Sequence, residues 1–132
     1  MSNGSIEAFL DGDAFAVVGA SRDRSKYGNK VLRCYLQNHL TAFPVNPTTE
    51  EIEGLAAFLD LASLPQSVHG VSLIVPPAVS ANVVRQAGEL GIQHVWFQPG
   101  AESDAALQLA NELGMNVIAN GPCLLVALGF RE

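Results

Sequence analysis

Five of the seven lysine and arginine residues of this chain lie close together, between positions 22 and 33. They follow a short apolar run that ends at Gly19. A glycine-containing turn between a buried strand and a helix presents free backbone N–H groups to a phosphate, and the helix dipole adds to the attraction. Because cations in the first turn of a helix are unfavourable, Arg22, Arg24 and Lys26 indicate a bound anion. The first expectation is therefore a site for a phosphorylated ligand.

The same cations have a second interpretation, a solvated basic loop paired with surface carboxylates such as Asp23. Lys30 and Arg33 lie further along the predicted helix, where ordinary surface charges are common. The choice between the two interpretations depends on the fold, because phosphate-binding turns occur at one edge of a particular kind of sheet.

Composition limits the class of ligand. The chain has 132 residues, 48% of them hydrophobic, which predicts one globular domain with a core of its own. Its formal net charge is −6, with 13 acidic against 7 basic residues. Proteins that bind nucleic acid or anionic membranes in general need a broad basic face, so neither partner is expected. A local basic patch on an acidic body favours a small anionic ligand.

The two cysteines and the N-terminus indicate the compartment. Cys34 and Cys123 are far apart and neither belongs to a CxxC pair, so they predict free thiols and neither a zinc site nor a redox pair. The segment 1–13 has no basic stretch and no apolar run of signal-peptide length. We expect a cytoplasmic protein.

Strand-like and helix-like segments alternate along the chain, which is typical of a parallel sheet covered by helices. We therefore predict an α/β fold with a Rossmann-like, doubly wound, mainly parallel five-stranded sheet, helices on both faces, and the strand order 3-2-1-4-5 or close to it. The predicted strands are 14–20, 41–47, 71–75, 94–98 and 115–119. The predicted helices are 28–39, 49–61, 81–90 with Ser80 as its cap, and 104–113 with Ser103 as its cap. The tail 123–130 is either a short helix or an apolar extension.

Ligands of such sheets bind beyond the carboxyl ends of the strands, where the strand order reverses. In this sequence the predicted strand ends are rich in turn-forming and polar residues, and we expect them to lie along one rim. They are Gly19–Ser21, Asn46–Thr48, Pro76–Pro77, Gln98–Gly100 and Asn120–Pro122.

The first turn matches neither the dinucleotide-binding fingerprint nor the phosphate-binding loop of nucleoside triphosphatases. A dinucleotide fingerprint needs glycine where this chain has Ser21 and Arg24, and no GxxxxGK[ST] sequence occurs. NAD also needs an acidic residue at the end of the second strand, where this chain has Asn46 and Pro47. The residues favour a nucleotide with more negative charge than NAD. An NAD(P)-binding oxidoreductase with a ribose contact of another kind is an alternative.

Several segments, in their order and spacing, resemble the small stand-alone CoA-binding proteins, whose fold is also that of the CoA-binding domain of the succinyl-CoA synthetase alpha subunit. They are "VVGASRDRSKYGNKV", "PVNPTTEEIEG", "SLPQSV", "VWFQPGAES" and "NGPC". The likeness extends from about residue 13 to residue 125, and "VNP…I.G" followed by "VWFQPG" is its most specific part.

The resemblance implies a set of binding residues. The first loop of that family binds a diphosphate, the turns after strands two and three border the adenosine, and the turn after strand four lies near the pantetheine arm. The phosphate-binding residues implied are Gly19, Ala20, Ser21, Arg22 and Lys26, with Tyr27 in the same group. Those at the adenosine are Asn46, Pro47, Thr48, Val75, Pro76 and Pro77, and those along the arm are Phe97, Gln98 and Pro99.

The implied ligand is coenzyme A or an acyl-CoA, and its diphosphate and 3′-phosphate agree with a loop that carries several cations. No catalytic constellation is visible, since His39, His69 and His94 have no carboxylate or cysteine at motif spacing. Cys123 is either a small buried residue or a partner for the CoA thiol in a mixed disulfide. We expect a CoA-binding sensor or carrier without chemistry of its own. A detached subunit of an acyl-CoA synthetase is an alternative function. A homodimer is an alternative to a monomer.

Overall fold

The structure, a computed structural model, describes residues 4–132. Its main sheet has five parallel strands in the spatial order β2-β1-β5-β6-β7, which confirms the predicted α/β, Rossmann-like fold. The strands of this sheet are β1 (Ala14–Val18), β2 (Thr41–Val45), β5 (Gly70–Leu73), β6 (His94–Phe97) and β7 (Asn116–Ile118). A separate antiparallel pair consists of β3 (Glu51–Ile52) and β4 (Leu55–Ala56).

Helices cover both faces of the sheet, and an apolar core lies under each layer. On one face Phe15, Trp96 and Tyr35 are fully buried under the helices, and on the other face Val71, Leu73 and Phe97 are fully buried. No helix within residues 4–132 is both long and apolar enough to cross a membrane. The first layer contains α1 (Ile6–Leu10), α2 (Tyr27–Gln37) and α5 (Leu124–Leu128), and the second contains α3 (Pro77–Glu89), α4 (Asp104–Glu112) and a 3₁₀ turn (Leu61–Ser63).

The strand order corrects the predicted one. The third strand of the sheet along the chain, β5, pairs with β1 on the side opposite β2, so the order is 2-1-3-4-5 where 3-2-1-4-5 was predicted. Pro44 gives the physical reason, because proline cannot donate to a sheet ladder and is confined to edge strands. β2 is therefore the edge, and the order still reverses at β1, where ligands of this architecture bind.

The helix predicted over 49–61 is wrong, since this segment contains the β3–β4 hairpin. The two residues between the strands, Glu53 and Gly54, have φ angles of 52° and 79°. Positive φ at both central residues is the conformation of a type I′ hairpin turn, for which glycine at the second position is favoured. The helix was predicted because Ile52, Leu55, Ala56 and Leu59 have a helical spacing; Ile52 is buried, whereas Leu59 is 62% exposed.

Two predicted helix starts have different outcomes. Ser103 caps α4 as predicted, because its hydroxyl accepts from the Ala106 N–H at 3.1 Å. Ser80 is not a cap, because α3 begins earlier, with Pro77 at its first position, where proline is well tolerated. The Ser80 side chain is buried and donates to the Ala101 carbonyl at 2.5 Å. The short helix α1 was not predicted at all, and the tail is the helix α5.

Candidate functional site

The turn after β1 is built around two close backbone approaches. Gly19 has a φ of 100°, and a Cβ placed on it would lie 1.9 Å from the Ile74 carbonyl oxygen. A Cβ on Gly28, in the first turn of α2, would lie 2.0 Å from the Gly19 carbonyl oxygen. Only glycine fits at either position, so strand, turn and helix are packed as closely as a phosphate-binding turn requires.

Two asparagine side chains orient the peptide groups of this turn. Asn46 donates to the Ala20 carbonyl at 2.9 Å, and the buried Asn29 donates to the Ser21 carbonyl at 2.8 Å. In a trans peptide the N–H of the next residue points away from the carbonyl. The N–H groups of Ser21 and Arg22 are therefore directed away from the two amides, and neither has a hydrogen-bond partner among residues 4–132.

The N-terminus of α2 adds further donors. Its cap residue is Lys26, whose side chain makes no capping hydrogen bond. The first N–H groups of a helix have no partner within the helix, and the dipole gives this end a partial positive charge. Together with the turn, this helix end provides the backbone donors and partial positive charge that favour an anion.

A cavity of about 710 Å³ opens between this turn, the end of β2 and one side of α3. Predicted binding residues that line it are Gly19, Ala20, Ser21, Lys26, Tyr27, Asn46, Pro47, Thr48 and Val75. An adjoining polar cavity of about 420 Å³ is lined by Ser21, Arg22, Asp23, Lys26, Asn46, Thr48 and Thr49.

The cations of the loop divide into paired and unpaired groups. Arg24 forms an ion pair with Glu53 at 3.3 Å, and Lys30 forms one with Glu132 at 3.2 Å. Arg33 donates to the Asn29 side chain and the Arg24 carbonyl, and its guanidinium lies over the ring of Phe130. The interpretation as paired surface charge is therefore correct for Arg24 and Lys30.

Arg22 and Lys26 are exposed, and neither forms an ion pair with any residue that the structure describes. Lys26 lies near enough to Asp23 for its charge to act on that carboxylate. Two hydrogen bonds from Ser25, with a smaller contribution from Lys26, hold the pKa of Asp23 below its usual range. Arg22 and Lys26 thus provide positive charge at the two cavities that no carboxylate of the described residues neutralises in an ion pair.

The remaining predicted residues lie outside the main cavity. Pro76 and Pro77 are exposed at the start of α3, beside Val75, and Pro99 is exposed after β6. Phe97 and Gln98 are completely buried beneath the rim. Whether these five residues contact a ligand stays a prediction, and none of them borders the space described above.

Sequence reasoning missed the wall opposite the loop. The signal for part of it is the exposure of Leu59 and Val79, two apolar side chains that are 62% and 43% exposed and both face the cavity. The exposure of these side chains can be seen only in the folded structure, after the positions of the hairpin and α3 are known. The lining residues that were not predicted as binding residues include Gly28, Leu59, Asp60, Ile74, Val79, Asn82, Val83 and Gln86.

A second polar cluster lies next to Tyr27, on the side of α5. The Tyr27 hydroxyl is in hydrogen-bond contact with the Cys123 thiol and lies 3.3 Å from the Gln98 side-chain oxygen. That oxygen also accepts from the Leu124 N–H at 2.9 Å. Burial, followed by the contact with Cys123, raises the pKa of Tyr27 well above its usual range, so the phenol stays protonated.

Comparison with protein-family models supplies a match over most of the chain. The model of the family described as "CoA binding domain" matches residues 13–129, which include the whole loop, both cavities and the Cys123 cluster.

Known proteins similar to the chain are of two kinds. One is short: the solved structure of a conserved hypothetical protein from Pyrococcus furiosus is 38% identical, with a TM-score of 0.81, over 86% of this chain and 97% of that one. The other kind is long. A trans-feruloyl-CoA synthase from an unknown prokaryotic organism is 28% identical across 99% of this chain and 20% of its own length. The alpha subunit of ADP-forming acetate–CoA ligase II from Pyrococcus furiosus is 24% identical across 86% of this chain and 27% of its own length. The chain therefore spans about a fifth to a quarter of these curated relatives.

Proposed function

The chain belongs to the CoA-binding domain family, and we propose that it binds coenzyme A or an acyl-CoA in the cavity between the β1–α2 loop, β2 and α3. The observation that carries the proposal is the pair of exposed cations, Arg22 and Lys26, without ion-pair partners among the described residues, at a loop whose N–H groups point outward. In this proposal the protein acts as a sensor or carrier and does not catalyse a reaction itself.

The phosphates of CoA fit the two cavities. The diphosphate binds to the Ser21 and Arg22 N–H groups and the first turn of α2, where backbone donors and the dipole favour an anion. The 3′-phosphate binds in the adjoining polar cavity, where Arg22, Lys26 and Thr48 line the wall. Charge-assisted hydrogen bonds of this kind are stronger than neutral ones.

The adenine ring lies in the wider cavity, against the apolar part of its wall. Leu59 and Val79 have too much exposed apolar surface to be explained as core residues, and a flat ring between them removes that surface from water. This placement uses the wall that faces the phosphate-binding loop.

The experiment that tests the proposal starts with mass spectrometry of small molecules released from the purified protein. Isothermal titration calorimetry then compares CoA, 3′-dephospho-CoA and NAD. We expect CoA to bind most tightly and the loss of the 3′-phosphate to weaken binding. Equal or tighter binding of NAD would support the oxidoreductase alternative and overturn the proposal.

A second candidate function is a detached subunit of an acyl-CoA synthetase. It is favoured by the curated relatives, which are synthases and ligases four to five times longer than the part they share with this chain. Mixing the protein with a candidate nucleotide-binding partner chain, acid, CoA and ATP tests this function. Formation of acyl-CoA only in the mixture would support it, whereas no turnover with a partner that co-purifies would contradict it.

A further inference from the structure

We propose that Cys123 is a covalent attachment site for coenzyme A, which its thiolate forms by exchange with a CoA disulfide. The inference rests on the proposed function, because CoA has to be held in the neighbouring cavity for its sulfur to reach this residue selectively. It concerns a residue that neither the phosphate-binding loop nor the adenine wall uses.

Tyr27 links the cavity to Cys123. The Tyr27 side chain lines the cavity, and its hydroxyl contacts the Cys123 sulfur. A ligand that contacts Tyr27 from the cavity is therefore separated from this sulfur by one aromatic side chain. Because the phenol stays protonated, it is available to donate a hydrogen bond to the Cys123 thiolate and stabilise the attacking form.

The other cysteine of the described chain differs in every relevant respect. Cys34 is fully buried and its thiol points to the Leu124 carbonyl, at 3.8 Å. Burial raises the pKa of Cys34 to about 11, which keeps it a thiol near neutral pH. Cys123 is partly exposed, so a disulfide in solution reaches Cys123 and not Cys34.

Gln98 supplies an independent indication of a ligand beside Cys123. The residue is completely buried, and its side-chain amino group has no hydrogen-bond partner among residues 4–132. The Leu124 N–H fixes the carbonyl end of the amide, so a flip of the amide does not satisfy both ends. This amide touches the Tyr27 hydroxyl, and an unpaired buried donor is costly. Gln98 does not border the main cavity, so a carbonyl group, such as either amide of the pantetheine arm, would satisfy this donor by entering beside Tyr27.

The chemical step is thiol–disulfide exchange. The Cys123 thiolate attacks one sulfur of the CoA disulfide, the bond between protein and CoA sulfur forms, and the S–S bond of the disulfide breaks. The second CoA leaves as a thiolate and takes up the proton that Cys123 released. The CoA disulfide is the oxidant, and its reduction to one free CoA balances the oxidation of the protein thiol.

Intact-protein mass spectrometry after incubation with CoA disulfide tests the inference. We expect one adduct, with the mass of one CoA less two hydrogen atoms, that a thiol reductant removes. Cys123→Ser should abolish it, whereas Cys34→Ala, a change at the buried thiol, should retain it. The nucleotide-free disulfide pantethine should react at least about tenfold more slowly, because it lacks the phosphates that position the sulfur.

Calorimetry with reduced CoA separates this inference from the proposed function. If the Cys123→Ser protein binds reduced CoA normally and forms no adduct, the inference stands. If reduced CoA binds but CoA disulfide gives no adduct, or the adduct maps to Cys34, or pantethine reacts as fast, the inference is wrong and the proposed function is unaffected. Failure of reduced CoA to bind overturns both.

Discussion

Arg22 and Lys26 differ from two neighbouring cations because neither has a carboxylate partner among the described residues. Arg24 and Lys30 each have a carboxylate partner, whereas these two cations have none among the described residues and face the polar cavity. We expect Lys26→Ala and Arg22→Ala each to weaken CoA binding by about 1–3 kcal/mol, the usual scale for a charge-assisted contact. Isothermal titration calorimetry at fixed ionic strength measures the loss.

Lys30→Ala is the matched control for these two variants. It removes the same charge from the same segment, but the Lys30 ammonium is engaged with Glu132 and does not line either cavity. Its CoA affinity should stay within a few tenths of a kcal/mol of the unmodified protein. An equal loss in all three variants would mean that net charge, and not these two contacts, governs binding.

Gly28 lies in a helix, but its replacement by alanine should destabilise the protein. Alanine normally stabilises a helix relative to glycine, but a Cβ here would lie 2.0 Å from the Gly19 carbonyl oxygen. We expect Gly28→Ala to lower the free energy of unfolding by about 1–3 kcal/mol, the scale of an overpacked site. Urea denaturation measures the change.

Gly88→Ala is the control within a helix. Its nearest contact would be the end of the Leu113 side chain at 2.8 Å, which can move, so the change should be neutral or slightly stabilising. A destabilisation as large as that of Gly28→Ala would show that helix crowding alone explains both results.

At the scale of elements, α1 is attached to the amino ends of β5 and β6 by a histidine pair. The rings of His69 and His94 stack with centroids 4.1 Å apart, and the His69 Nε2 bonds to the Ala8 carbonyl. Asn116 is oriented by Ser5, whose N–H donates to its Oδ1, so its amino group donates to the His94 Nδ1 at 3.0 Å. That ring nitrogen must therefore be unprotonated.

Protonation of His94 should destabilise this attachment. Burial, and next the charge of His69, lower the pKa of His94 below its ordinary value. Because the folded pKa is the lower one, the stabilisation is complete above the unfolded pKa of about 6.5 and is lost as the pH falls towards the folded value. Urea unfolding between pH 5 and pH 7.5, a range of about one unit or more on either side of that value, measures the loss.

Two histidine variants test this pH dependence. His94→Asn cannot titrate but keeps an oxygen at the position of Nδ1 that accepts from Asn116, so its free energy of unfolding should vary less with pH in this range. His39→Asn removes an exposed histidine and should leave the pH dependence unchanged. If both variants keep the full dependence, His94 does not cause it.

The elements predicted correctly were those whose pattern is local and strong. The five core strands are short apolar runs closed by proline, glycine or asparagine, and α2 has a clear amphipathic spacing. The region 49–61 was predicted wrongly because its apolar residues fit a helical spacing, whereas the decisive signal was the turn at Gly54. Pro44 could have corrected the predicted strand order, because it indicates that β2 is an edge strand, but it does not indicate the order of the other strands.

The same distinction applies to the site. The loop that we propose to bind phosphate could be located from the sequence because its residues are contiguous; its binding role stays a prediction. The opposite wall was not, because its residues are far from the loop in sequence: Leu59 lies in the connection between β2 and β5, and Val79 and Asn82 lie in α3.

At the scale of the whole molecule, ligand binding should raise stability. A ligand that binds only the folded protein adds about 2.7 kcal/mol at about 100 times its Kd. For a chain of this length that corresponds to a rise in Tm of about 10 °C. Thermal unfolding with CoA should show this shift, and NAD at the same concentration should show less. A larger shift with NAD would contradict the proposed ligand.

The hairpin carries one further consequence. Glu53, in the turn between β3 and β4, pairs with Arg24 and accepts from Asn29, and Arg33 donates to the Arg24 carbonyl. Fixing a mobile backbone costs about 1–2 kcal/mol of conformational entropy per residue. Because these bonds hold the segment 22–33 in place before binding, we expect the ligand proposed above to meet a preorganised loop. The association rate should then be set by diffusion and electrostatic steering, without a slow rearrangement after the encounter.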